Sequence, residues 1–354
     1  MTRDDIKPTH VNTDALEAAM NAREKKQQAE KDHEKEEEHD RSDDSRSIPT
    51  LSNCMDLNDI QDNELYYVGT AGVKIIELDG IEMLQNVKKL HVRSNLLRSM
   101  TSVSSLVHLE HLELYDNRIE TIEGVQELVN LKVLDLSFNE IRVIPDLSPL
   151  SQLEELYVAN NKLKKIAGIE NLSKLKKLDL GANRLRSIEG LNGLVELKEL
   201  WLGKNKITAI QGLEKLTKLK IISVQSNRVV TIAGLTNNVD LEELYLSHNG
   251  IETIENVEHL TNLTTMDLAG NRITHIPTNM ASLLQLEDLW LNDNQIAQYA
   301  DVESLASLAG LRTLYLERNP LSQDFEYRMK LEELLPQLDQ IDATATTRAR
   351  QRHI

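Results

Sequence analysis

The sequence repeats an asparagine at a fixed interval through most of its length. Nine asparagines, from Asn95 to Asn271, follow one another in steps of 22 residues. Two more, Asn294 and Asn319, continue the series with steps of 23 and 25. Self-similarity at a period of about 20–50 residues indicates a stack of small, similar units rather than one globular core. The chain is therefore predicted to form a repeat array.

Each unit reads LxxLxLxxN followed by IxxIxGLxxLxx, as from Leu241 to Asn249 and onward from Ile251. Successive side chains point to opposite faces of a strand, so the leucines on either side of Tyr245 face inward and Tyr245 faces outward. Stacked units bury a continuous core that one unit cannot enclose. The pattern resembles leucine-rich repeats. It predicts an α/β fold, a right-handed horseshoe solenoid of 22-residue repeats with a concave parallel β-sheet.

The repeated asparagine and glycine positions are expected to be structural. An asparagine amide both donates and accepts hydrogen bonds, so a column of asparagines can pair backbone groups at successive turns. The recurring glycines are expected to form the convex turn; they are Gly124, Gly168, Gly190, Gly212 and Gly234.

The ends of the array differ from its middle, and the sequence divides into five parts. We predict a disordered charged tail at 1–50, an N-terminal cap with a degenerate first repeat at 51–78, repeats at 79–319, a C-terminal helical cap at 320–345 and a basic tail at 346–354. The degenerate repeat is aligned on Leu65 and Val68. In the cap, Ser322 is predicted to begin a helix. Its apolar face would comprise Phe325, Met329, Leu331, Leu334, Leu335 and Leu338.

Charge and cysteine content restrict the partners and the compartment. The formal net charge is −17, which disfavours nucleic acid and anionic membranes and favours a basic protein surface. Cys54 is the one cysteine, so an intramolecular disulfide is excluded and a reducing compartment is expected. The N-terminus lacks an apolar signal region, and no apolar run reaches the roughly 18 residues of a membrane helix. We expect a soluble, intracellular protein that is monomeric on its own.

One position in each repeat combines aromatic and acidic residues on the concave side. The outward residue between the two strand leucines is termed the concave column. It comprises His91, Glu113, Asp135, Tyr157, Asp179, Trp201, Ser223, Tyr245, Asp267, Trp290 and Tyr315. Aromatic residues are only 3% of the chain, yet both tryptophans occur in this column. Further acids, such as Asp288, precede it by two residues. These side chains are expected to be exposed, and exposed aromatic clusters ringed by charge are typical of protein–protein contacts.

No motif for catalysis or metal binding is found in the sequence. Gly-rich phosphate loops, GxSxG, HExxH and paired cysteines are absent. His108 and His111 are close in sequence, but the repeat phase is expected to direct them to different surfaces. The sequence therefore predicts that the chain is not an enzyme, with no cofactor and no metal ligands. An enzyme or metal-binding protein is the weakest alternative.

Several segments outside the repeat consensus are informative. They are Leu202–Thr208, Gln225–Arg228, Leu244–Glu252, Trp290–Asn294, Tyr315–Leu321, Tyr327–Arg328 and Ile341–Thr344. Together with the cap they resemble the leucine-rich-repeat regulatory subunits of protein phosphatase 1, of the regulatory-subunit-7 kind. The resemblance covers residues 60–345. It implies a non-catalytic partner that binds the phosphatase catalytic subunit through its concave face and controls its activity or maturation, in nucleus and cytoplasm.

The resemblance also implies contact residues, matched position by position. They are Asp135, Tyr157, Asp179, Trp201, Asp267, Asp288, Trp290 and Tyr315. The concave column adds Tyr245. Tyr157 and Trp201 stand where the family has phenylalanine, which preserves an aromatic ring but not its size. The metals of such a complex would belong to the phosphatase, and the convex face is left open to a third regulatory protein. The alternative is a repeat scaffold for another intracellular protein of the splicing, axonemal or tubulin-related kind.

Overall fold

The computed structural model describes residues 49–60, 63–69 and 73–352. These residues form a single 14-stranded sheet in which every strand pairs with its neighbours in sequence. The first thirteen strands are parallel, and only the last pair is antiparallel. The fold predicted from the repeat, a parallel solenoid, is confirmed. Of the predicted tail at 1–50, residues 1–48 lie outside the described residues.

The strands are short, and most contain three residues. They are β1 Glu64–Val68, β2 Lys89–Arg93, β3 His111–Glu113, β4 Val133–Asp135, β5 Glu155–Tyr157, β6 Lys177–Asp179, β7 Glu199–Trp201, β8 Ile221–Ser223, β9 Glu243–Tyr245, β10 Thr265–Asp267, β11 Asp288–Trp290, β12 Thr313–Tyr315, β13 Gln340–Ile341 and β14 Thr344–Ala345. Between residues 113 and 278, all of them described, the chain forms strands but no helices. The convex side there returns through turns.

The described residues contain few helices, and these lie towards the two ends of the array. The α-helices are α1 Leu51–Cys54, α2 Tyr299–Glu303, α3 Tyr327–Leu334 and α4 Thr347–Arg352. The 3₁₀-helices are Leu57–Asp59, Ile81–Met83, Thr101–Ser105, Thr278–Ser282, Ser304–Ser307 and Pro320–Gln323. Within the described part of the chain, no helix has the length and hydropathy needed to cross a membrane.

The core is a stack of aliphatic side chains, as the repeat predicts. Leu244 and Leu246, on either side of Tyr245, are fully buried, and the corresponding residues of the other repeats are buried in the same way. Burial of one leucine side chain stabilises the fold by roughly 1.5–3 kcal/mol. Because each repeat contributes its leucines at the same position of its turn, the apolar core runs without interruption along the array.

The asparagine column pairs the backbone between successive turns. The Nδ2 of Asn183 donates to the carbonyl oxygens of Val158 and Leu180, at 2.9 and 3.1 Å. Its Oδ1 accepts from the backbone N–H of Leu163 at 2.9 Å. One buried amide thus satisfies groups in its own turn and in the preceding one. The structural role predicted for this position is confirmed.

Left-handed φ angles occur at one backbone position in every asparagine-bearing repeat and at a second position in several of them. The residue before the asparagine is one of them: Ala182 has φ of 50° and Lys204 has φ of 54°. The second is the convex glycine. At Gly168, with φ of 78°, a Cβ atom would also lie 2.1 Å from the carbonyl oxygen of Pro145. Glycine recurs there because it adopts this torsion without strain and has no Cβ to meet the neighbouring carbonyl, although Asn256 takes the same position with φ of 56°.

The register of the first repeat differs from the one read from the sequence. Val68 was aligned with Leu90, but the structure pairs Leu65 with Leu90, so this unit is three residues longer than the usual period. Val68 is consequently exposed, and Leu65 is the buried strand residue. The 22-residue spacing was extended one unit too far, into the unit of β1, which has no earlier strand beside it among the described residues.

The C-terminal cap is present, although its helix begins later than predicted. Ser322 does not cap a helix; its hydroxyl donates to the carbonyl of Asn319. Asp324 instead accepts from the N–H of Glu326, just before α3. Leu331, Leu335 and Leu338 close the last repeat as expected. Phe325 and Met329 were expected on the same face and are exposed. Phe325 lies before the helix, and Met329 is two residues from the buried Leu331 and therefore points to the opposite side of the helix.

The segment assigned to a basic tail, 346–354, instead contains helix α4. Arg348 donates to the carbonyl of Pro336 and Arg352 to the carboxylate of Asp339. Thr346 is buried and its hydroxyl donates to the carbonyl of Leu338. The basic residues therefore bond to the cap, a use of arginine that charge counting along the sequence does not reveal.

Candidate functional site

The concave column forms one continuous row across the sheet. Each member lies directly opposite the next in the parallel register, from His91 in β2 to Tyr315 in β12. The predicted contact residues are thereby brought together, with Asp135, Tyr157, Asp179 and Trp201 on adjacent strands, followed after Ser223 by Tyr245, Asp267, Trp290 and Tyr315. Asp288 lies two residues before Trp290 on the same strand. The predicted residues therefore form one continuous row on the outer face of the sheet.

Four aromatic rings of this row touch one another. Trp201 stacks on Tyr245 at 6.2 Å between centroids, Tyr245 meets Trp290 at 6.2 Å, and Trp290 meets Tyr315 edge-on at 6.4 Å. We term these four residues the aromatic chain. Trp201 and Tyr245 lie two strands apart, a backbone separation of about 9–10 Å. Their rings therefore lean together across the small Ser223 between them.

The leaning rings bury part of the row, contrary to the expectation that all of it is exposed. Tyr245 is 5% exposed, Asp267 3% and Ser223 2%. Trp201, Trp290 and Tyr315 remain partly exposed. Tyr245 is enclosed by the two tryptophans, and Asp267 lies under Tyr245 and Trp290. The sequence placed these residues on the correct face but could not predict that large neighbours would cover the smaller ones.

The aspartates of the row each hold the backbone that follows their strand. Asp135, Asp179 and Asp267 accept from the N–H two residues later, at 2.8, 2.9 and 3.0 Å. Burial raises the pKa of Asp135, although hydrogen bonds from Ser137 oppose the shift. The aspartates therefore have a structural role that was not predicted from the sequence. The signal was available, because aspartate commonly accepts from the N–H two residues ahead in turns.

The glutamates that precede the aromatic residues accept hydrogen bonds from them. Tyr157 donates to Glu155 and Tyr245 to Glu243, both at 2.6 Å, and the indole N–H of Trp201 donates to Glu199 at 3.3 Å. Burial, together with these glutamates, raises the pKa of both tyrosines. The pairing fixes each ring against the sheet, so the surface is preorganised rather than a set of freely rotating side chains.

A second cluster lies at the N-terminal end of the row. His91, His111 and Glu113 bring possible ligand atoms within 4.8 Å of one another. Tyr66 stacks on His91, with ring centroids 4.3 Å apart and planes inclined by 4°. This cluster is not evident from the histidines of one repeat, His108 and His111, which are close in sequence. The informative comparison is between repeats, since residues 22 apart lie side by side.

The fold and the row define a class. A parallel sheet of three-residue strands joined by an asparagine ladder makes this protein a leucine-rich-repeat solenoid with an aromatic and acidic surface on its sheet. The family model described as "Leucine-rich repeat region" matches residues 84–346, well over half of the chain. The protein belongs to that leucine-rich-repeat family.

Short segments are similar to regulatory subunits of protein phosphatase 1. One is 49% identical over 49 residues to protein phosphatase 1 regulatory subunit 7 of Xenopus tropicalis, covering 14% of each chain. Another is 41% identical over 68 residues to protein phosphatase 1 regulatory subunit SDS22 of Schizosaccharomyces pombe, covering 18% of this chain and 20% of the relative. The aligned segments thus span a fifth or less of these relatives. The resemblance noted in the sequence is confirmed at that extent.

Solved structures confirm the fold over a larger part of the chain. An internalin, inlF, from Listeria monocytogenes superposes with a TM-score of 0.64 at 26% identity, covering 80% of this chain and 87% of the internalin. The leucine-rich-repeat protein LIC12759 of Leptospira interrogans gives 0.63 at 27% identity, covering 76% of each chain. Both share the solenoid architecture.

Proposed function

We propose that this chain is a non-catalytic regulatory subunit that binds the catalytic subunit of protein phosphatase 1 through its concave face and controls its activity or maturation. The observation that carries the proposal is the aromatic chain Trp201–Tyr245–Trp290–Tyr315, set in one row with carboxylates. The partner is inferred from the names of the relatives, which are regulatory subunits of protein phosphatase 1. We propose the nucleus and the cytoplasm as its site of action.

The surface has the composition of a protein-binding site for a basic partner. Partly exposed tryptophan and tyrosine side chains dominate binding energies at interfaces, since they bury a large area at a small entropic cost. The carboxylates of Asp135, Asp179 and Asp288 lie in or beside the same row, and the formal net charge is −17. Such a field attracts a positively charged surface and repels an acidic one.

The members of the row have different roles in this proposal. Trp201, Trp290 and Tyr315 are partly exposed and contact the partner directly. Tyr245 and Asp267 are buried, and they act by holding the rings of Trp201 and Trp290 in place. Tyr157 is fixed by Glu155 and lies beside Lys177, whose Nζ is 5.8 Å from the ring centroid. Fewer residues therefore contact the partner directly than the row contains.

The test is a binding experiment with purified proteins. The full chain is mixed with the phosphatase 1 catalytic subunit, and co-elution from a sizing column is measured together with the affinity. The double variant Trp201→Ala/Trp290→Ala is expected to bind far more weakly, since each truncated hot-spot ring costs about 2 kcal/mol or more. The phosphatase activity of the complex, followed over time, then separates inhibition from stabilisation of the catalytic subunit.

The matched control is Phe325→Ala. Phe325 is 94% exposed and lies on the C-terminal cap, away from the sheet, so its loss should leave binding unchanged. Separate elution of the wild-type chain, or undiminished binding by the double variant, would refute the proposal. Affinity purification that recovers a different dominant protein would favour the alternative, a repeat scaffold for another intracellular partner.

A further inference from the structure

Basic side chains follow the asparagine column in the middle of the array. They lie in four segments that surround successive asparagines, 159–166, 181–188, 203–210 and 225–232. These segments contain eight lysine or arginine residues and no aspartate or glutamate, although the whole chain has 57 acidic and 40 basic residues. The charge of this region is therefore opposite in sign to that of the protein.

The backbone holds the basic positions side by side. The N–H of Arg184 donates to the carbonyl of Leu163 in the preceding turn at 2.8 Å. The N–H of Lys206 donates to the carbonyl of Leu185 at 2.8 Å, and Arg228 makes the same bond one turn further on. Turns joined in this way lie about 5 Å apart, as neighbouring strands do. The side chains therefore form a regular row and not a chance cluster.

Six of these side chains are exposed, and among the described residues the side chains of these six have no ion pair and no hydrogen bond. We term them the basic ridge; they are Lys164, Lys165, Arg184, Arg186, Lys206 and Arg228. The adjacent Lys162 differs, because it pairs with Glu140 at 2.5 Å. The basic ridge thus presents six positive charges to solvent that the fold does not neutralise.

Lysines at the other ends of the strands are neutralised within the array. Three of them come directly before β4, β6 and β8, and each pairs with a glutamate of an adjacent turn. The pairs are Lys132–Glu110, Lys176–Glu154 and Lys220–Glu242, with N–O distances of 2.5–2.7 Å. The repeat can therefore place an acid beside a base 22 residues away. In the basic ridge it places further bases there, which repel one another and attract an anion.

The composition of this region favours an acidic peptide over a nucleic acid. The four segments contain no aromatic residue on which a base could stack, as single-stranded nucleic acids commonly require. A long polyanion would also extend beyond the ridge into the field of a chain with a net charge of −17. A short run of carboxylates can stay on the ridge, where each guanidinium can donate two parallel hydrogen bonds to one carboxylate.

We propose that the basic ridge is a docking surface for a short acidic segment of a protein partner, rich in aspartate and glutamate. The segment lies across the turns and places its carboxylates on the side chains of successive repeats. The ridge follows the carboxyl ends of β5 to β8 and is separate from the concave column. The proposal therefore does not depend on the phosphatase partner, and its test contains no phosphatase.

The test uses the purified full chain and a fluorescein-labelled twelve-residue peptide of alternating aspartate and glutamate. Binding is measured by fluorescence anisotropy. We expect saturable binding that weakens as salt is added, because exposed charges are screened. The triple variant Lys164→Gln/Lys165→Gln/Lys206→Gln should bind the peptide about tenfold more weakly, since each exposed ion pair contributes roughly two- to fivefold to affinity.

The matched control is Lys132→Gln/Lys176→Gln/Lys220→Gln. It removes the same charge from the same residue type at the other ends of the strands, so it should bind the peptide like the wild type. Thermal unfolding of both variants checks that the fold is retained. A twelve-nucleotide single strand with the same label is expected to bind more weakly than the peptide.

Three results would overturn the proposal. The wild-type chain might show no saturable binding of the peptide, which would leave a solvated row of charges. Equal losses in the two triple variants would mean that the peptide responds to net charge and not to the basic ridge. Tighter binding of the oligonucleotide than of the peptide would assign the ridge to nucleic acid.

Discussion

At the scale of single residues, the repeat works by giving each polar side chain a fixed backbone task. The asparagine amides connect neighbouring turns, and the aspartates Asp135 and Asp179 accept the N–H that follows their strands. Where a residue departs from its column, the departure has a cost that can be identified. Two residues lead to predictions: Asn238, which departs from its column, and Asp267, which is buried.

Asn238 replaces a core leucine. Leu216 and Leu260, one period before and after it, are fully buried, and so is Asn238. Its Oδ1 has no hydrogen-bond partner. Its Nδ2 donates to the carbonyls of Leu213 and Leu216, but both carbonyls already accept from backbone N–H groups. The amide therefore leaves one buried oxygen unpaired and supplies no bond that the backbone needs.

We predict that Asn238→Leu stabilises the protein by about 1 kcal/mol or more, because it removes an unpaired buried oxygen and adds apolar burial. Chemical unfolding should give a higher midpoint. The same substitution at the neighbouring Asn237, which is exposed, serves as the control and should bring no comparable gain. A lower midpoint for Asn238→Leu would mean that the amide bonds are needed after all.

Asp267 is a carboxylate buried under aromatic rings. Burial raises its pKa, although hydrogen bonds from Ser247, Ala269 and Gln225 oppose the shift. In the unfolded chain an aspartate ionises near pH of about 4. Between that value and the raised pKa, the folded state binds more protons than the unfolded state. Stability due to this group therefore falls as pH rises through that range.

We predict that Asp267→Asn gains stability relative to the wild type as pH is raised from about 4 towards neutrality, because the amide has no charge to desolvate. The measurement is the free energy of unfolding at several pH values. Asp240→Asn, at an exposed position, changes the net charge equally and should show no such trend. A difference between Asp267→Asn and wild type that does not change with pH would contradict the assignment.

At the scale of elements, strands of only three residues are sufficient to form the sheet, because rows of side chains on both of its faces link one strand to the next. The inner leucines pack from turn to turn, and on the outer face rings bridge strands that are not adjacent, as Trp201 and Tyr245 do across Ser223. A small residue between two large ones thus allows the two large side chains to contact each other. At the end of the array, the cap has to cover the last leucines with a single short helix.

We predict that Leu331→Ala destabilises the protein by about 2–5 kcal/mol, because Leu331 is the fully buried residue of α3 and its truncation opens a cavity under the cap. The unfolding midpoint measures the effect. Met329→Ala, in the same helix but 53% exposed, controls for changes in helix propensity and should cost much less. Equal losses for the two variants would mean that the cap does not depend on this contact.

At the scale of the whole described array, repetition separates two chemistries along one surface. The N-terminal end of the row contains histidine, arginine and Glu113, and the C-terminal end contains the aromatic chain with its acids. Because each repeat contacts mainly its neighbours, a substitution at one end is expected to leave the other intact.

The sequence by itself determined the fold and the identity of the row. A 22-residue period fixes which residues lie side by side, and strand alternation fixes which face outward. It failed where neighbours are missing or unusual, as in the first repeat, where Val68 was aligned with Leu90, and at Ser322 in the cap. At these two places the local sequence pattern no longer corresponds to the environment that the other repeats share.

Only the tertiary structure decided which members of the row are buried and which atoms meet. The covering of Asp267 by two rings depends on side-chain directions across three strands, and the cluster of His91, His111 and Glu113 depends on contacts between repeats. A periodic sequence specifies the backbone position of each side chain, because the backbone repeats. It does not specify how side chains of unequal size pack against one another, because that depends on neighbours that do not repeat.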